Sequence, residues 1–290
     1  MAVRYDPVLI AGIVDEIRLR CRGQRVLGLS LRRERREVWI PLEKSTGEQD
    51  VIGILLHPAA GFVVTADAIP DGAEETDRRI DFRRLYLADV WAPVDERLIV
   101  FDLAGGLRDV RADLPPVFRL YVELHTNQWN AVLARGADDR IEAVLWQRSA
   151  GGRSLRTGAV YERPEGARAW ADSAPDGDEW KTLLVAVPPA DRRAVLLRSA
   201  AWTSTLNVDW ILGAAATDDS DDELARAYDR YAGIRVPTGQ AWLLPVAGAQ
   251  QPYPTAIHPG ARRCASLLEG MRIAAAGSAL LPPPAEPGVR

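Results

Sequence analysis

The sequence is poor in the residues that build metal centres and disulfide frameworks. Among 290 residues there are two cysteines and three histidines. Cys21 and Cys264 are far apart and form no CxxC spacing, so neither a zinc site nor a disulfide scaffold is indicated. The histidines occur in no HExxH pattern, which removes the commonest zinc-hydrolase signature. We therefore expect no metal and a reducing compartment.

Long apolar segments are also missing. The longest run, over residues 51–64, is interrupted by His57 and Pro58, and it is too short to span a bilayer. The amino terminus lacks a basic stretch followed by an apolar segment, so no secretory leader is expected. These observations predict a cytoplasmic protein without a membrane partner.

Sequence signatures of catalysis are absent as well. The chain has no GxSxG elbow, no P-loop and no GxGxxG after a predicted strand, and Ala104-Gly-Gly-Leu107 reads as a turn. We expect no enzymatic activity and no small-molecule cofactor.

Basic charge is not in excess. The formal net charge is −4 and the pI is about 5.6, which argues against a protein that coats nucleic acid over its whole surface. All 36 basic residues except Lys44 and Lys181 are arginine. Arginine suits bidentate phosphate or carboxylate contacts, although genomic base composition gives the same bias. Any nucleic-acid site must be a local patch.

The apolar periodicity predicts a chain that begins with a helix and continues as an antiparallel sheet. Asp6-Pro7 followed by an apolar stripe at Ile10, Ile13 and Ile17 is typical of a capped helix. Period-two alternation then predicts strands. They are expected at residues 27–31, 38–42, 51–57, 62–65, 97–103, 118–124, 131–133 and 141–145, with a short helix at 74–87.

The periodicity becomes helical in the second half. The Pro- and Gly-rich segment 163–178 reads as a linker. Helices are predicted at 178–184, 190–200, 207–216 and 220–232, the last behind a capping box at residues 220–223. A strand at 241–245 and a helix at 262–276 follow. The expected division is an antiparallel β domain at 1–165, a helical subdomain at 166–235, a returning strand and helix at 236–276, and an unstructured tail at 277–290.

Several short motifs, taken in order, carry a family resemblance. They are Leu55-Leu-His-Pro58, the strand Arg97-Leu-Ile-Val-Phe101, the strand pair around Asn130, and the exit from the sheet at residues 155–164. With them the chain resembles the NFACT amino-terminal domain family of fibronectin-binding-protein-A-like and ribosome quality-control factors.

The resemblance implies an α+β fold. The expected architecture is a formamidopyrimidine-DNA-glycosylase-like antiparallel β-sandwich with a flanking helix, followed by a helical subdomain of helix-hairpin-helix character. There the segment Ala201-Trp-Thr-Ser-Thr-Leu206 occupies the hairpin position, where backbone N–H groups can meet a phosphate. An ordinary helix–helix turn is the other interpretation. The amino-terminal proline nucleophile of those glycosylases is absent, so base excision is not expected.

The resemblance also implies RNA-binding residues. Glu96-Arg97 matches an acidic residue followed by Arg that the family associates with tRNA engagement, with Asp95 as an alternative acid. A carboxylate beside a guanidinium can orient it toward a phosphate or a base edge, whereas a solvated pair at a strand start contributes little. His57 and Asn130 are further candidates. Each also has a structural interpretation, the end of a strand and the anchoring of a turn.

Arginine clusters complete the candidate set. Arg148, Arg153 and Arg156 lie on a Gly-rich loop, and four more arginines occupy a predicted hairpin tip at residues 32–36. Such tips can hold phosphates or be merely solvated. At residues 126–129 the family's Arg-His pair is replaced by Asn127-Gln128, which removes positive charge.

Two functional hypotheses remain open. The first is a non-enzymatic RNA-binding protein whose partners are the large ribosomal subunit and tRNA at stalled translation complexes. The second is a protein-interaction domain, either an adhesin-like ligand binder or a regulatory domain without RNA contact. RNA binding predicts that Arg97 shares one face with the loop arginines and that association is salt-dependent. Full family members carry a coiled coil and a second RNA-binding domain, so we expect a shortened relative or part of a longer protein.

Overall fold

The computed structural model describes residues 3–57, 61–69, 81–94, 96–125, 129–150, 152–164, 168, 170, 174–236 and 238–276. The first half contains α1 (Pro7–Cys21), β1 (Arg25–Val26), β2 (Ser30–Arg32), β3 (Glu37–Glu43), β4 (Gln49–Leu55), β5 (Phe62–Ala66), β6 (Tyr86–Trp91), β7 (Leu98–Ala104), α2 (Leu107–Arg111), β8 (Phe118–Glu123), β9 (Asn130–Arg135), β10 (Ile141–Val144), β11 (Arg148–Ala150) and β12 (Arg153–Leu155). The second half contains α3 (Gly177–Val185), α4 (Pro189–Ser199), α5 (Val208–Leu212), α6 (Asp221–Ile234), β13 (Ala241–Val246), β14 (Ala249–Tyr253), β15 (Arg262–Cys264) and α7 (Leu267–Ala275).

Helix α1 begins at its predicted position. The Asp6 carboxylate accepts a hydrogen bond from the Leu9 N–H at 2.9 Å, and Pro7 occupies the first turn. The helix packs against β6 and β7 on one side and against α7 and β14 on the other. Except for Leu19, which is 88% exposed, its large apolar side chains are therefore buried, and each contributes about 1.5–3 kcal/mol. They include Leu9, Ile10, Ile13 and Ile17.

One antiparallel sheet forms the main body. Its strand order is β10-β9-β8-β7-β6-β1-β3-β4-β5, with β2 beside β3. The two halves of the sheet approach each other, because the guanidinium of Arg36 before β3 lies 5.1 Å from the ring centroid of Trp146 after β10. Strands β3, β4, β7 and β8 share one apolar core with α1. The expected α+β class with a large antiparallel sheet is confirmed.

The opposite face of β7–β10 carries a second, smaller core. The chain leaves β10, forms the β11–β12 hairpin and covers Leu98, Tyr121 and Val132 with Leu155 and Tyr161. The rings of Tyr121 and Tyr161 stack with their centroids 4.0 Å apart. This path brings the hairpin to the end of β8.

The helical part is held together by a buried arginine. Arg192 on α4 is 1% exposed and donates hydrogen bonds to the carbonyl oxygens of Leu184 at 3.0 Å and Ala215 at 2.6 Å. It also pairs with the Asp219 carboxylate. Three chain segments thereby converge on one side chain, which satisfies buried carbonyl groups that would otherwise be costly.

Some predicted elements are wrong. Within the segment predicted as a helix at 74–87, residues 82–84 form one 3-10 turn and Leu87 belongs to β6, where it pairs with Leu103 of β7. Residues 70–80 lie outside the described part. The predicted turn at 104–107 leads into the short helix α2, and the helix predicted from residue 262 begins at Leu267, because residues 262–264 pair with β13.

The capping box is also misplaced. The Ser220 side chain makes no capping hydrogen bond to α6, whereas Asp176 and Glu179 form a reciprocal box at the start of α3. The region expected to hold one returning strand contains three, in the order β14-β13-β15. The boundary near residue 165, the turn at 126–128, Pro58, Asp95 and the tail at 277–290 lie outside the described residues.

Candidate nucleic-acid interface

A buried carboxylate organises the loop arginines. Glu123 ends β8 and its side chain is fully buried. It pairs with Arg148 at 3.1 Å and with Arg153, and it accepts a hydrogen bond from the Tyr161 hydroxyl at 3.0 Å. The Arg153 guanidinium also lies 5.5 Å from the Tyr161 ring centroid. Both arginines are therefore held in place at one end of the sheet.

Glu96 and His125 face each other at the same end. The Leu124 N–H donates to the Arg97 carbonyl oxygen at 2.8 Å, which extends the β7–β8 ladder by one pair and sets Glu96 opposite His125. Their side chains approach to 3.8 Å. Burial, with the positive charges of Arg97, Arg153 and Arg148, lowers the pKa of His125 to about 4. The imidazole is therefore neutral at pH 7.

Arg97 connects this group with the helical part of the chain. Burial lowers the pKa of Arg97, and the nearby Arg168 guanidinium lowers it further, while Glu96 and Asp6 act in the opposite direction. Two like charges that act on each other favour the binding of an anion near both.

Arg168 is fixed by the turn after α4. It donates to the carbonyl oxygens of Ala200 at 2.9 Å and Thr203 at 2.6 Å. The Thr203 hydroxyl lies 2.8 Å from the Leu196 carbonyl oxygen, and Trp202 adopts a left-handed φ of 68°. The turn thereby positions a charged side chain from a different segment.

The same turn uses its own N–H groups internally. Ser204 N–H donates to the Asn207 side chain at 2.8 Å, Leu206 N–H to the Ser204 hydroxyl at 3.1 Å, and Asn207 N–H to the Ser204 carbonyl at 3.2 Å. These donors are not available to a phosphate. For these residues the geometry is that of an ordinary helix–helix turn, the second of the two interpretations of this segment.

Asp6 joins the start of the chain to both later parts. Its carboxylate accepts hydrogen bonds from the Ser204 hydroxyl at 2.6 Å and the Tyr253 hydroxyl at 2.9 Å, besides capping α1. Burial raises the pKa of Asp6, and the hydrogen bonds and the Arg168 charge oppose this shift. Asp6 is therefore a structural anchor whose charge also acts on Arg97.

Among the other predicted site residues, Asn130 lies opposite Glu123 in the β8–β9 ladder, but its side chain binds elsewhere. Asn130 is fully buried and binds the backbone of Trp146 through two hydrogen bonds, Nδ2 to the carbonyl oxygen at 2.8 Å and Oδ1 from the N–H at 3.0 Å. His57 is exposed after β4. Arg156 is exposed at the start of the turn that ends at Ala159.

We call Arg97, Arg148, Arg153 and Arg168 the basic cluster. The structure thus brings together three of the predicted residues, Arg97, Arg148 and Arg153, around His125, with Glu96 beside them. Sequence reasoning missed the roles of Glu123, His125 and Arg168. A charged residue inside the alternating strand 118–124 was a signal for Glu123, but no local pattern indicates Arg168.

The described residues contain no group of three or more His, Cys, Asp and Glu side chains arranged to hold a metal ion. None of the helices seen over the described ranges combines the length and the apolar character needed to cross a bilayer.

Solved structures with a similar fold are named as fibronectin- or fibrinogen-binding proteins. The N-terminal part of the fibronectin/fibrinogen-binding protein from Streptococcus suis matches with a TM-score of 0.70 and 12% identity, over 93% of this chain and 98% of that one. The fibrinogen binding protein from Staphylococcus aureus gives 0.64 and 13%, over 92% and 97%. The N-terminal domain of fibronectin-binding protein PavA from Streptococcus pneumoniae gives 0.55 and 13%, over 93% and 97%.

These likenesses establish the fold and nothing finer, because the identity is low. The similarity to the N-terminal part of fibronectin-binding proteins agrees with the fold type that the sequence resemblance implied, whereas the glycosylase-like detail of that expectation stays a prediction. No protein-family model matches the sequence, and no curated protein matches it either.

Proposed function

We propose that this chain is a non-enzymatic RNA-binding protein that engages structured RNA through the basic cluster. The observation that carries the proposal is that Glu123 at the end of β8 holds Arg148 and Arg153, next to the point where Arg97 leads into β7 and Glu96 faces His125, while the charge of Arg168 acts on Arg97. The four guanidiniums come from three different parts of the fold. Such convergence supports a local anion site on a chain whose net charge is −4.

The arginines differ in the charge they have to offer. Glu123 accepts hydrogen bonds from both Arg148 and Arg153, so part of their charge is already compensated within the protein. Arg97 and Arg168 repel each other, and a phosphate placed near both would relieve that repulsion. Because Glu96-Arg97 resembles the family's acid–arginine pair, Arg97 is the expected main contact, and Arg148 and Arg153 are expected to orient the ligand.

The proposed partners are tRNA and the large ribosomal subunit. Support comes from the resemblance of Glu96-Arg97 to the family's acid–arginine pair and from the fold shared with proteins of the same family type. His125 is neutral at pH 7 because its pKa is about 4. The positive charge of the cluster then comes from arginine side chains alone. The affinity for RNA should therefore be constant between pH 6 and 8.

The first test is Arg97→Ala. We expect tRNA binding, measured by filter retention and by co-sedimentation with ribosomes, to weaken roughly tenfold or more, since a charge-assisted hydrogen bond is worth about 1.5–3 kcal/mol. The slope of log affinity against log salt should fall by about 1. The thermal midpoint should not change. Arg84→Ala is the matched control, because the Arg84 side chain is 86% exposed and pairs with Asp81.

Equal binding by Arg97→Ala and Arg84→Ala would remove Arg97 from the site. If the wild-type chain retains no tRNA at low salt, the RNA proposal itself is wrong. A protein-ligand function then becomes the leading candidate, favoured by the fibronectin and fibrinogen binding named for the similar structures. Immobilised fibronectin and fibrinogen are the ligands to test.

A further inference from the structure

One exposed aromatic side chain has no role in the basic cluster. Among the described residues, the large apolar side chains left exposed are aliphatic except for Trp146, which is 49% exposed. It lies two positions after the end of β10 and two positions before Arg148. An exposed tryptophan of this size is unfavourable in water, so its surroundings show whether the fold holds it for a ligand.

The backbone of Trp146 is fixed on both sides. Its N–H donates to Asn130 Oδ1 at 3.0 Å and its carbonyl oxygen accepts from Asn130 Nδ2 at 2.8 Å. Asn130 is itself fully buried. The indole is therefore presented from a rigid point of the sheet, and little entropy is lost when a ligand stacks on it.

A guanidinium also orients the ring. Arg36 lies with its Cζ 5.1 Å from the Trp146 ring centroid. Arg36 adopts a left-handed φ of 54°, its N–H donates to the Arg33 carbonyl at 3.2 Å, and its carbonyl accepts from the Leu56 N–H at 2.7 Å. The strained, bonded backbone holds the side chain over the indole.

The turn that carries Arg36 holds further exposed arginines, with the acid Glu34 between them. Arg33 and Arg35 are exposed on the same β2–β3 turn as Arg36, and Arg148 lies on the other side along the chain. Single-stranded nucleic acid has unpaired bases that can stack on an exposed indole. It also has phosphates on either side of each base that can pair with exposed arginines. A folded duplex does not expose a base face in this way.

We infer that Trp146 is a stacking position for an unpaired base of single-stranded RNA, with Arg33 and Arg35 contacting the flanking phosphates. This inference rests on the proposed function and deepens it, because it adds a second contact, separate from Arg97, that selects unpaired over paired RNA. Stacking on an aromatic face tolerates any base, so little sequence preference is expected.

The test compares Trp146→Ala, Trp146→Phe and Val160→Ala. Val160 is 53% exposed at the end of the same covering segment, so its truncation is the matched control. Each variant is titrated with a labelled unstructured oligoadenylate and with the corresponding RNA duplex. Trp146→Ala should lose roughly 5- to 100-fold in affinity for the single strand, from the usual cost of a lost stack. The duplex should be affected little, and Trp146→Phe should retain most of the single-strand affinity.

A spectroscopic readout separates stacking from folding. An oligonucleotide that carries 2-aminopurine should lose fluorescence on binding the wild-type chain and not on binding Trp146→Ala, at a concentration where both are bound. Single-strand affinity equal in Trp146→Ala and Val160→Ala, or an equal loss for single strand and duplex, would overturn the stacking role. If RNA binding is weakened in Arg97→Ala but not in Trp146→Ala, the stacking inference is wrong while the proposed function still holds. If the wild-type chain binds neither RNA, the proposed function has failed first.

Discussion

At the scale of single residues, the buried charges near the end of β8 are the most informative. Glu123 is fully buried yet has three partners, so its charge is compensated, whereas its removal would take the buried carboxylate partner from both Arg148 and Arg153. His125 is accommodated in a different way, because its ring carries no charge. Its Nε2 is buried and finds no hydrogen-bond partner among the described residues, and the ring stays neutral among arginines.

The pKa of His125 predicts acid sensitivity with a definite sign. In the folded chain the value is about 4, and in the unfolded chain about 6.5. Between these pH values the unfolded state binds more protons, so stability is complete above about pH 6.5 and falls as the pH drops toward 4. In His125→Asn the loss of unfolding free energy between pH 7 and pH 5 should be smaller by about 2 kcal/mol.

Urea denaturation at the two pH values measures this difference. His258→Asn is the control, because His258 is exposed and bonds only locally, to the N–H of Gly260. A fall in stability as large in His125→Asn as in the wild-type chain would mean that His125 is protonated in the folded state.

At the scale of elements, the turn between β9 and β10 depends on one close approach. A Cβ added at Gly136 would lie 1.8 Å from the Pro116 carbonyl oxygen, and the Gly136 N–H already donates to the Val117 carbonyl at 2.8 Å. Backbone cannot yield as a flexible side chain can. Gly136→Ala should therefore destabilise the fold by about 2 kcal/mol, within the usual range for overpacking.

The comparison is Gly233→Ala. Gly233 lies in α6 with open space around its Cα, so alanine there should stabilise by about 0.5–1 kcal/mol through helix propensity. Thermal unfolding of both variants, checked by circular dichroism, measures the contrast. If Gly136→Ala unfolds at the wild-type temperature, the turn is not as tightly packed as described.

Elements were predictable from sequence where the pattern is local. Helix caps and period-two alternation predict α1, β3, β4 and the meander β7–β10. The helical period predicts α3–α6. Predictions failed where a distant strand decides the outcome. Leu87 joins a strand because Leu103 pairs with it, and residues 262–264 are extended because β13 accepts them.

For the candidate site, too, features with a local sequence pattern were predictable and features that depend on distant segments were not. Arg97, Arg148 and Arg153 were predicted because they stand in recognisable sequence contexts, a strand start and a Gly-rich loop. The arrangement around Glu123, and the placing of Arg168 beside Arg97, depend on segments that meet only after folding. The sequence thus indicated which residues could bind an anion, but it did not indicate which residues contact one another.

At the scale of the whole molecule, one carboxylate links segments that are very distant in sequence. Asp6 accepts from Ser204 and from Tyr253, 198 and 247 positions further on, and it also caps α1. The sheet, the helical part and the β13–β15 region therefore meet at a single side chain. Because the group is 3% exposed, water cannot replace a lost partner.

We call the contacts of Asp6 with Ser204 and Tyr253 the joint. They predict that substitutions at Asp6 and Tyr253 change the free energy of unfolding non-additively. Tyr253→Phe alone should reduce the free energy of unfolding by about 1 kcal/mol, and Asp6→Ala by about 2 kcal/mol, since the latter also removes a helix cap. In the Asp6→Ala background, Tyr253→Phe should cost much less, which gives an interaction energy of about 1 kcal/mol. Chemical denaturation of the four chains of the cycle measures it.

Tyr86→Phe serves as the uncoupled control, because Tyr86 lies in β6, away from the joint. The cycle of Tyr86→Phe with Asp6→Ala should be additive within about 0.5 kcal/mol. Additive costs for Tyr253 and Asp6 as well would mean that each part of the chain is stabilised independently. Coupling confined to the Asp6 cycle with Tyr253 would instead locate the joint at this carboxylate, whose charge acts on both Arg97 and Arg168.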